Sequence, residues 1–85
     1  MSSQIRRAAV SIPSNIAEGH ARNHTKEYLQ FLGIAKGSLA ELQTLLALSE
    51  TLGYCKAADT VAASTTSEEV EKILAGIMNA LAPNP

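Results

Sequence analysis

The feature that most constrains this chain is the helical pattern running from residue 25 to residue 52. Tyr28, Leu32, Ala35, Leu39, Leu42, Leu46 and Ser49 recur at three and four, the spacing of one helix face. Phe31, Ile34, Leu45, Leu48 and Leu52 widen that stripe. Thr25 is placed to cap the start, Glu27 suits the positive end of the helix dipole, and Gly53 supplies the stop. At 1.5 Å per residue such a helix is about 40 Å long. An apolar surface this long and wide needs neighbours on two sides. Gly33 and Gly37 stand four apart on one face, near Ala40 and Thr44, where small side chains admit another helix closely. Two glycines inside a helix cost about 2 kcal/mol against alanine, which argues for a packing role.

Two shorter segments flank this one. Over residues 3–18, Ile5, Ala8, Ala9, Ile12 and Ile16 trace a helix face, with Gly19 as the expected stop. Pro13 lies inside that pattern. It has no N–H for the Ala9 carbonyl, so the helix either kinks there or breaks and restarts; the continuing stripe favours a kink. Over residues 57–81, Val70, Ile73, Leu74, Ile77, Met78 and Leu81 form a clear stripe. The stretch Ala62 to Ser67 is poorly patterned, and Thr66 with Glu69 reads as a capping box. Either one helix runs from about Ala57, or a short helix precedes a capped one. Pro83 and Pro85 mark a frayed tail. Short glycine-bearing connections make consecutive helices antiparallel neighbours. The expected fold is one all-α domain over 1–85, an up-down antiparallel bundle with helices near 3–18, 25–52 and 57–81. Its second helix offers more apolar surface than two partners cover, so a fourth helix or another subunit is missing.

Composition supports this and narrows the function. The chain has 85 residues, 46% hydrophobic but only 4% aromatic, so the core is built from Leu, Ile, Val and Ala. That length excludes a two-domain enzyme. Cys55 is the lone cysteine, which excludes an internal disulfide and fits a cytoplasmic location. No continuous run of about 18 apolar residues predicts a membrane span. The net charge of −1 is unevenly spread. Residues 1–36 carry Arg6, Arg7, Arg22, Lys26 and Lys36 against Glu18 and Glu27, a net +3, and the remainder is −4. Arg6, Arg7, Arg22 and Lys26 are the candidate phosphate contacts; pairing with Glu18, Glu27 or the C-terminal acids is the competing reading.

Other chemistry finds little support. His20 and His24 are spaced i, i+4, but Gly19 and Asn23 place them in a turn, with no completing ligand set, so no metal is expected. Cys55 reads as a small buried residue near a helix end. Gly33 to Ser38 superficially resembles a phosphate loop, but it lies inside a helix rather than after a strand. No acid, base and nucleophile converge, so neither an enzyme nor a cofactor is expected.

Two blocks carry a family resemblance. They are Gln4-Ile5-Arg6-Arg7-Ala8-Ala9-Val10-Ser11-Ile12-Pro13-Ser14-Asn15-Ile16-Ala17-Glu18-Gly19 and the run from Glu27 to Leu42. With Leu52-Gly53-Tyr54 they resemble the bacterial four-helix-bundle proteins encoded in intervening sequences of 23S ribosomal RNA genes. The accessory variability determinant of diversity-generating retroelements is similar. The resemblance implies a bundle assembling as a homopentamer, a long kinked first segment, and a third helix unbroken from about Lys56. It attaches no enzymatic activity. In the retroelement relatives it implies binding to RNA or DNA and to a reverse transcriptase. Family members carry a further helix before the Gln4 block, so three helices are expected here. The functional expectation is a non-enzymatic, oligomeric accessory that binds nucleic acid through Arg6, Arg7, Arg22 and Lys26. The alternative is a protein–protein scaffold assembled through Gly33, Gly37, Leu42 and Leu45.

Overall fold

The computed structural model describes residues 2–82. Among these residues it contains three α-helices and no strand: α1 (Ser2–Ala21), α2 (Thr25–Thr51) and α3 (Ala57–Leu81). The tail prolines Pro83 and Pro85 lie outside the described residues. The helices run up and down as expected. α1 and α3 both pack on α2, and no backbone of α1 approaches that of α3 closely. The arrangement is therefore three corners of a square, with α2 at the middle corner and the fourth corner empty.

α1 is a single helix with Pro13 inside it, so it neither breaks nor restarts. The Ala9 carbonyl loses its usual donor there. Polar side chains fasten this stretch to α2. The Ser11 and Ser38 hydroxyls lie 2.7 Å apart, and Asn15 Nδ2 donates to the Ser11 carbonyl at 2.7 Å and to Ser11 Oγ at 3.0 Å. Gly19 does not stop α1, which continues to Ala21. Its role is contact. A Cβ built on Gly19 would lie 2.6 Å from Phe31 Cβ and 2.9 Å from Tyr28 Cδ1. Only glycine lets the end of α1 sit this close to the start of α2.

α2 begins at Thr25 itself, so Thr25 is not the cap. His24 holds that position with no side-chain hydrogen bond. At the far end Gly53 takes φ +80. Its N–H donates to the Glu50 carbonyl and the Tyr54 N–H donates to the Ser49 carbonyl at 2.8 Å, closing the helix in a Schellman motif. α3 is unbroken, which settles the two readings of its first half. Thr66 does not cap; its hydroxyl donates to the Ala62 carbonyl. Thr65 and Ser67 bond back in the same way, and so the polar run stays helical.

The core is small. Ile12, Leu32, Ala35, Leu39 and Leu74 are buried together, with Ile16, Tyr28, Leu42, Val70, Ile77 and Met78 partly buried around them. Of the widened stripe on α2, Ile34 is 52% exposed and Leu52 54%. Val10 on α1 and Ile73 on α3 are each 62% exposed. Sequence periodicity places Ile73 on the core stripe. It is exposed instead.

Candidate functional site

The four candidate phosphate contacts do not form one patch. Arg6 and Arg7 are exposed near the start of α1, whereas Arg22 follows its end and Lys26 opens α2. The rise of α1 separates the two pairs by about 20 Å. Arg22 is engaged locally: its guanidinium pairs with Glu18 at 2.8 Å and sits 5.3 Å from the Phe31 ring centroid. His20 stands edge-on to Tyr28 with centroids 5.8 Å apart. His20 ends α1 and His24 caps α2, and among the described residues no group of three or more His, Cys, Asp or Glu could hold a metal. Cys55 is half-buried in the α2–α3 turn rather than fully buried, with Sγ 3.1 Å from Thr60 Oγ1.

Two surfaces stand out instead. The first is the outward face of α2. Gly33, Gly37, Ala40, Thr44, Ala47 and Leu48 are all exposed there, and their spacing puts them on one side of the helix. A Cβ added to Gly33 or Gly37 would meet nothing within 4 Å, so neither glycine packs against another helix of this chain. Between Lys36 and Glu50 the only charge is Glu41. Leu42 and Leu45 are half-buried and point inward from this face. α2 is also long and apolar enough to cross a membrane, with a mean hydropathy of 1.2 over an 18-residue window of which 17% is buried.

The second surface is the empty corner. A groove of about 350 Å³ runs between α1 and α3. Ala9, Ile12, Pro13 and Ile16 form its α1 wall, Leu39 and Leu42 its floor. Thr66, Ser67 and Val70 form the α3 wall, where both hydroxyls are turned to their own backbone. No lining residue is charged. Periodicity alone misses this groove, because Pro13, Thr66 and Ser67 read as breaks in a stripe. The relevant signal was the excess of apolar surface on α2.

The sequence model of the 23S rRNA-intervening sequence protein family matches residues 1–76. The chain belongs to that family. The match spans all of α1 and α2 and most of α3, so both the outward face of α2 and the groove lie within the family's own extent. No curated protein matches the chain.

Proposed function

We propose that this chain is the subunit of a non-enzymatic, homo-oligomeric helical scaffold in the cytoplasm. The observation that carries the reading is the outward face of α2: six small or apolar residues, exposed along four turns of helix with almost no charge. Isolated exposed apolar residues are ordinary, but a contiguous strip marks a contact surface. A lipid bilayer is a poorer partner for it. Lys36 and Glu41 are exposed mid-helix, and charges at such depth cost roughly 2.5–3.5 kcal/mol each. A second copy leaves those side chains in water. The resemblance implies five copies.

Light scattering on the purified chain tests the reading. A mass well above the 9.0 kDa monomer at tens of micromolar is expected, and a monomer throughout refutes it.

Nucleic-acid binding is the second reading, favoured by the exposure of Arg6, Arg7 and Lys26. Each subunit offers two small cationic ends, so affinity depends on many copies acting together and falls steeply with salt. A reverse transcriptase, the protein partner that the resemblance implies for the retroelement relatives, belongs to this reading. The Arg6/Arg7→Ala and Arg22/Lys26→Ala variants separate the two ends in a mobility-shift titration. Unchanged binding by both removes the proposed contacts.

A further inference from the structure

We draw no further inference here: the strongest candidate, the exposed outward face of α2 around Gly33, Gly37 and Leu48, is the surface on which the proposed scaffold already rests, and nothing in the structure shows what covers it.

Discussion

Gly19→Ala measures how closely α1 and α2 are joined. Two effects oppose each other. Alanine favours the helix by about 1 kcal/mol relative to glycine. Its Cβ, however, would sit 2.6 Å from Phe31 Cβ, about 1 Å inside ordinary carbon–carbon contact. Phe31 Cβ is the root of its side chain, so no rotamer change moves it away. Either the α1–α2 crossing opens or α1 shifts along α2, and the Arg22–Phe31 and His20–Tyr28 contacts are disturbed together. Overpacking of this kind costs about 3 kcal/mol at its upper range. The net expectation is a loss of about 2 kcal/mol, or about 8–16 °C in melting temperature for a domain of this size. Gly76→Ala is the matched control, since its added Cβ meets nothing, and it should gain up to about 1 kcal/mol. Urea melts of the two variants, followed by circular dichroism at several protein concentrations, give the comparison. If Gly19→Ala is as stable as wild type, the close approach at this position does not exist.

Further outcomes follow from single contacts. Ser49 Oγ is buried without a hydrogen-bond partner, so Ser49→Ala should be neutral or stabilising by up to about 1 kcal/mol in the same melts; a clear loss means the hydroxyl has a partner. Ser38→Ala removes the inter-helix partner of Ser11 and should cost about 1 kcal/mol, with Asn15 still holding Ser11. Gly53→Ala must hold φ +80 with a side chain and should cost about 1–2 kcal/mol; a stability equal to wild type counts against the Schellman closure. Glu18→Gln should change stability by less than about 0.5 kcal/mol, because its pair with Arg22 is exposed, with side chains 54% and 47% accessible; a loss above about 1 kcal/mol would show that the pair has structural weight.

Helix number and order were legible in the sequence from 3.6-residue periodicity, and their up-down direction from the short connections. Two kinds of feature were not. Gly19 carries the signature of a helix stop, and only the neighbouring Phe31 and Tyr28 turn it into a contact position. Thr66 and Ser67 carry the signature of a cap, yet their hydroxyls satisfy themselves on the preceding turn and the helix runs through. In both cases a local propensity was outweighed by something local patterning does not encode. The basic residues were misleading in a different way. They are close together in sequence order around α1, but a helix extends them, and its length sets Arg6 and Arg7 well away from Arg22 and Lys26.

The same geometry links assembly to stability. Among the described residues, Leu32, Leu39 and Leu74 are the large side chains at most 2% exposed, and complete burial of such a side chain contributes about 1.5–3 kcal/mol. A core of that size leaves a short chain marginal by itself. Along the groove, Ile16 and Val70 stay half-buried in the single chain. Association through the outward face of α2 would bury further apolar surface, so folding and assembly should be thermodynamically coupled. Melting temperature should rise with protein concentration for wild type, and a Gly37→Leu variant, which places bulk on that face, should lose that dependence. A wild-type melting temperature independent of concentration over a hundredfold range would mean that association adds nothing to the fold.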